Sequence, residues 1–221
     1  MQEQQKHFAT QDGTKLFYRY RPAADGSSDK AIVLFHRGHE HSGRMMFVAD
    51  ELGFDDFAYF AWDARGHGHS PGERGDSPSI GTSVADVDDF IRHIQNEYGI
   101  KPENICVIAQ SVGAVLVSTW LHDYAPKIRC AVLASPAFKV KLYVPFARTG
   151  LKIMQKWRGN FFVNSYVKSH YLTHNKERQD SFNQDPLITR AISVRILLGL
   201  YEAAERVVAD AEAITTPVTL M

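Results

Sequence analysis

Ser111 stands in Val107-Ile108-Ala109-Gln110-Ser111-Val112-Gly113-Ala114, between an apolar run and a helix-forming run, with small residues two positions to either side. That pattern fits a tight strand-to-helix turn that lifts a serine hydroxyl above a sheet, the geometry of a nucleophile elbow. Small flanks are needed because the following helix passes close to neighbouring strands. The helix N-terminus offers the Val112 backbone N–H to an oxyanion. Serine at such a turn attacks an acyl carbon, with carboxylic esters the first substrates to consider. Two further segments rich in chemistry also follow apolar runs. They are His36-Arg37-Gly38-His39-Glu40-His41-Ser42-Gly43-Arg44 and Asp63-Ala64-Arg65-Gly66-His67-Gly68-His69-Ser70. The first lies where this architecture takes its second oxyanion donor. His39, Glu40 and His41 are metal-ligand types, but their spacing is not H-E-x-x-H, and no metal is expected.

The elements that would position these residues are legible as alternating runs. Asp12-Gly13 between His7–Thr10 and Lys15–Tyr20 signals a hairpin. Lys30–His36 is continuously apolar, as in a strand buried on both faces of a parallel sheet. Runs of the same type recur at Phe57–Asp63, Asn104–Gln110, Arg129–Ser135 and Pro217–Met221. Helical periods fall between them at Ser42–Leu52, Ser83–Tyr98, Val112–Tyr124 and Pro186–Asp210. The expected class is therefore α/β, a mostly parallel twisted sheet with helices on both faces. Residues 138–185 break the rhythm. They show no strand signal and carry amphipathic stretches with Leu142, Val144, Phe146, Leu151, Ile153, Met154 and Trp157, then Phe161, Phe162, Val163 and Tyr166. A helical cap inserted into a core of residues 1–137 and 186–221 is expected, placed over the sheet edge that binds ligands. Its apolar residues either form the insertion's own core or line an acyl pocket.

The 221 residues carry 25 Lys plus Arg and 25 Asp plus Glu. Zero net charge argues against nucleic acid or an anionic membrane surface as the main partner. With 44% hydrophobic and 23% charged residues the composition is that of a globular protein, not a disordered one. Two cysteines, Cys106 and Cys130, lie in apolar strands. That excludes a disulfide framework and points to a reducing cytoplasm. The polar N-terminus reads as no secretory signal, and no segment reads as an integral membrane span.

Together the three motifs resemble the serine hydrolases of the α/β-hydrolase fold, in their monoacylglycerol lipase and lysophospholipase branch. That branch has H-G-x-G-E-H-S-G-R after the third strand, D-x-x-G-H-G-x-S after the fourth and G-x-S-x-G after the fifth. The resemblance continues through Leu172-Thr173, Asp185-Pro186-Leu187 and Ile214-Thr215-Thr216-Pro217-Val218. It implies Ser111 as nucleophile, the backbone N–H groups of Gly38 and Val112 as oxyanion donors, and a small-molecule acyl ester such as a monoacylglycerol or lysophospholipid as substrate. No cofactor is implied, since ester hydrolysis needs only water. Arg37 and His39 depart from the family's glycines, which puts the aim of the Gly38 N–H in doubt. The Arg37 cation either assists an anionic substrate or points to solvent.

The family's acid and histidine follow the seventh and eighth strands, so the resemblance places both beyond Met221, with the final strand and helix absent. The expectation is that the chain is the front of a longer polypeptide whose apolar final strand is left as an edge. A stand-in base among His36, His39, His41, His67 and His69 is disfavoured. Asp63 reads as a loop-bonding group and Asp86 as a helix N-terminal group in a Ser83-Val84-Ala85-Asp86 capping box. The alternatives to an esterase are a non-catalytic hydrolase-like binding module, or a thioesterase or peptidase on the same fold.

Overall fold

The computed structural model of the chain describes residues 2–26, 28–139, 146–165 and 167–221. Leu142, Val144 and Tyr166 lie outside the described residues. A seven-stranded sheet organises the molecule, built from β1 (Gln4–Ala9), β2 (Lys15–Arg21), β3 (Ala31–Phe35), β4 (Ala58–Trp62), β5 (Ile105–Gln110), β6 (Cys130–Ala134) and β9 (Val218–Leu220). Its order is β1-β2-β4-β3-β5-β6-β9. The β1–β2 hairpin closes through Gly13 at φ 81° and a Gly13 N–H bond to Thr10 O of 2.8 Å. β2 runs antiparallel to β4; from β4 to β9 every pairing is parallel.

Alternate residues of the central strands serve different faces, as the pleat requires. Val33, Phe35, Phe60, Trp62, Val107 and Ala109 face a core closed by α2 (Ile80–Tyr98) and α3 (Val112–Tyr124). Ile32, Leu34, Tyr59 and Ala61 meet the short α1 (Phe47–Leu52) on the other side. Burial on both faces explains why these strands read as unbroken apolar runs. The same outer face is half-buried along β5 and β6 and exposed along β9.

After β6 come α4 (Ala147–Arg158), β7 (Phe162–Asn164), α5 (Ser169–Leu172) and α6 (Lys176–Gln184), then β8 (Ala191–Ser193) and α7 (Val194–Ala209). The absence of a strand between 138 and 183 is corrected here. β7 pairs antiparallel with β8, with Val163 opposite Ile192. Three residues are too few for alternation to show in the sequence. Other boundaries also move. The run Ser42–Leu52 divides into a 3₁₀ turn at Ser42–Arg44 and α1. α2 begins at Ile80 because Ser79, not Ser83, is its cap, with Ser79 Oγ accepting from Thr82 N at 2.9 Å. α7 begins at Val194 rather than Pro186, where Ser193 Oγ accepts from Ile196 N at 3.1 Å.

Candidate active site

β5 runs into α3 through one residue. Ser111 sits at φ 53°, ψ −113°, a conformation that costs of order 1–3 kcal/mol and persists only where the surroundings over-determine it. They do so here. Ser111 N–H donates to Ala134 O at 3.0 Å, and Ser111 O accepts from both Val115 N and Ala137 N at 3.2 Å. The hydroxyl makes no capping bond to the helix it precedes. Gly113 is set by contact. A Cβ there would lie 2.4 Å from His36 O and 2.9 Å from Phe35 O, because α3 starts against the end of β3.

The loop after β3 comes to the same place. A Cβ on Gly38 would lie 3.0 Å from Val112 Cγ2, so the Gly38 backbone packs against the Val112 side chain. His39, which stands where a glycine was expected, adopts φ 72° nonetheless. A side chain in the left-handed region costs about 1–2 kcal/mol, so this loop stores strain. Beneath Gly38 and Val112 lies a cavity of about 40 Å³, lined on its apolar side by Trp62, Ile80, Leu116 and Ile196.

Three sets of contacts hold the loop. His36 Nδ1 donates to Arg37 O at 2.7 Å while Nε2 accepts from Ala64 N at 3.0 Å. Burial lowers the pKa of His36, and His67 and His39 are pushed down to about 4 chiefly by burial, so this group is uncharged at neutral pH. Asp63 ties the β3 and β4 loops together, accepting from Ser42 N at 2.6 Å and His69 N at 2.7 Å. The third set joins the loop to the end of α6. Glu40 accepts from Arg37 at 2.5 Å and pairs with Arg44 at 3.4 Å. Asp185 accepts from His41 Nε2 at 3.0 Å and from Arg44 at 3.4 Å. Both guanidinium groups lie over the buried Phe182 ring, at 5.7 and 5.6 Å. Burial works to raise the Asp185 pKa, but His41, the Leu187 N–H and Arg44 outweigh it and hold the carboxyl below its usual range.

Several expectations change. Arg37 neither points to solvent nor waits for an anion; it is spent on Glu40. The residues of the metal-like triplet diverge, Glu40 towards two arginines and His41 towards Asp185. Among the described residues no group of three or more His, Cys, Asp or Glu could hold a metal ion. Four of the five edge histidines are engaged elsewhere, whereas the buried His39 leaves its Nδ1 without a hydrogen-bond partner among the described residues. His36 and His41 bond as above, His67 Nδ1 donates to Arg65 O at 3.0 Å, and His69 packs on Phe17. Asp86 is not a cap but a buried partner of Arg65, at 2.7 Å. Cys106 and Cys130 are half-buried and lie opposite each other, with Sγ atoms 3.5 Å apart. The Glu40–Arg44–Asp185 link is the part that sequence reasoning missed. Its only trace was Asp185 ahead of Pro186, 145 residues from Glu40 in the chain.

A family model described as serine aminopeptidase, S33 (Hydrolase_4) matches residues 26–221. The chain is 60% identical over 214 residues to the uncharacterized protein YnbC of Escherichia coli K12, covering 97% of this chain and 37% of that protein. It thus spans little more than a third of YnbC's length. Mouse monoglyceride lipase is 30% identical over 221 residues, with 97% of this chain and 71% of the lipase covered. The crystal structure of the Paleococcus ferrophilus monoacylglycerol lipase superposes with a TM-score of 0.79 at 27% identity, covering 93% of this chain and 76% of that one. The elbow, the loop packed against it and these matches lead to one assignment: the chain belongs to the serine aminopeptidase S33 family of α/β-hydrolases, and within it is similar to monoacylglycerol lipases.

Proposed function

We propose that Ser111 is the nucleophile of a serine esterase whose oxyanion is met by the backbone N–H groups of Gly38 and Val112. The observation that carries this reading is the strained Ser111 backbone at the β5–α3 junction, beside the loop after β3, whose Gly38 packs against the Val112 side chain. In the reaction, Ser111 Oγ bonds to the ester carbonyl carbon, the alcohol leaves with a proton, and water then releases the acyl group. Fixed backbone donors aimed at the developing oxyanion supply the largest share of such a rate enhancement. The substrate is a small acyl ester of lipid type, a monoacylglycerol or lysophospholipid, and residues 138–185 act as its cap. The names of the relatives and the apolar residues of that segment support this choice. Unbridged Cys106 and Cys130 suit a cytoplasmic setting.

A series of chromogenic esters, thioesters and aminoacyl amides, run with the native protein and with Ser111→Ala, tests the reading. Ester turnover that vanishes in the variant supports it, whereas amide or thioester preference would reassign the substrate class. A second reading, a ligand-binding module without turnover, is favoured by one observation. His36, His41 and His67 all hydrogen-bond to partners other than Ser111. It requires ligand binding that survives Ser111→Ala and no ester turnover in either form.

A further inference from the structure

β5 and β6 carry the two cysteines of the chain on directly opposed rungs. In their parallel register Cys106 pairs with Cys130, Ile108 with Val132 and Gln110 with Ala134. Neighbouring strands lie about 4.8 Å apart, and side chains on one rung share a face. Here that brings the two Sγ atoms to 3.5 Å, with Cys130 donating to Cys106. A disulfide needs Cα atoms about 4.4–6.8 Å apart, so the backbone already suits the bond and only the side chains have to turn. Ile108 and Val132, the next pair on the same face, show the apolar residues this surface otherwise takes. Both cysteines are half-buried rather than sealed in the core. Arg129, exposed just ahead of β6, sets a cation beside the pair, open to the carboxylates of a small anionic reagent.

We propose that Cys106 and Cys130 form a reversible dithiol–disulfide couple that exchanges with small disulfides of the glutathione class. Cys130 opens the exchange. Its thiolate attacks one sulfur of the small disulfide, that S–S bond breaks, and one small thiol leaves with the electron pair and a proton. Cys106 then attacks the Cys130 sulfur of the mixed disulfide, and the second small thiol leaves with the proton that Cys106 gives up. Two protein thiols are thereby oxidised to one disulfide while one small disulfide is reduced to two thiols. The order follows from Cys106. Burial, then the contact with Cys130, pushes its thiol up to about 11 against the pull of Arg129, so it ionises too little to attack a dilute reagent. Against a sulfur held beside it, the effective concentration makes up the difference. A half-exposed bridge stays within reach of free thiols, which makes the step reversible. The bridge ties the same two strands that hold the elbow, where Ser111 N–H meets Ala134 O at 3.0 Å. The couple needs no catalysis by Ser111, and its test reads none.

The reduced native protein is equilibrated at pH 8 with glutathione disulfide and glutathione in stepped ratios, then quenched in acid. Intact mass, alkylatable thiols and non-reducing peptide maps are followed. The expected product has lost two hydrogens and both free thiols together, carries a bridge between Cys106 and Cys130, and returns to the dithiol on adding dithiothreitol. Cys106→Ser should stop at a single glutathione adduct on Cys130. Cys130→Ser should take up glutathione about 10-fold more slowly than Cys106→Ser, because only the hindered thiol is left. The bridge itself is read on the native protein, so the folding of neither variant decides the outcome. A glutathione adduct on the native protein that never resolves, thiols that stay free in excess glutathione disulfide, or a bridge that forms only between two chains would each overturn the assignment.

Discussion

Gly113→Ala sets two effects of opposite sign against each other. Gly113 occupies the first turn of α3, where helix propensity alone makes Ala better than Gly by about 0.8–1.0 kcal/mol. The structure predicts a loss instead. The added Cβ would meet His36 O at 2.4 Å and Phe35 O at 2.9 Å, where ordinary contact begins at 3.4 Å. Both atoms are backbone of the β3 end, so no side chain can swing away, and α3 must retreat by about 1 Å. Because both contacts are with backbone, the upper part of the range for forced overpacking applies, about 2–3 kcal/mol, which leaves a net loss of about 1–2 kcal/mol after the propensity gain. With a urea dependence of about 2 kcal/mol/M, the unfolding midpoint should fall by about 0.5–1 M. Ser111 and Val112 retreat with the helix. A displacement of about 1 Å at a reacting group can cost 100-fold in rate, so ester turnover should fall far more than stability does. A midpoint equal to or above that of the native protein would refute the close packing from which the elbow is argued.

Three further outcomes are expected. His122 bridges Asp123 and Asp210, at 2.7 and 2.9 Å, and these hydrogen bonds raise its pKa above 6.5. Its stabilisation is therefore full below the unfolded pKa and lost as pH rises through the folded one, so the stability gap between the native protein and His122→Gln should narrow from pH 6 to pH 8.5 in urea titrations. Asp185 has its pKa depressed, with the opposite sign: its contribution is present above the unfolded carboxylate pKa and disappears as pH falls through the folded value. Asp185→Asn should accordingly be less stable than the native protein at pH 7 and converge with it in acid, as followed by thermal unfolding. Burial, then the contact with Cys130, pushes the Cys106 thiol up to about 11. Alkylation of Cys106 at pH 8, followed by mass spectrometry, should be about 100-fold slower in the folded than in the denatured protein.

The sheet was legible because parallel strands covered on both faces leave unbroken apolar runs, as Ala31–Phe35 and Ala58–Trp62 show. The start of α2 was not, because Ser79 and Ser83 both stand ahead of helical residues. Contacts that sequence does not display decided between them. Asp86 was needed against Arg65, which leaves Ser83 inside the helix. The β7–β8 ribbon escaped notice because its partners are 3 residues each and lie on opposite sides of two helices. In the site, local motifs pointed to Ser111, Val112 and Gly38, since each depends on the residues beside it, and the structure sets Gly38 against Val112. The clamp of Glu40, Arg44, Phe182 and Asp185 joins distant segments through side-chain charge and an aromatic face. No periodicity records such a pairing, and Arg37 was misread for the same reason: its partner Glu40 was visible, but not the buried setting that makes the pair form.

The most direct test of the central claim is the site of reaction with a fluorophosphonate, located by intact mass and peptide mapping. The account predicts one adduct, on Ser111, absent from Ser111→Ala and slowed in Gly113→Ala. An adduct on another residue, or equal labelling of native protein and Ser111→Ala, would contradict it.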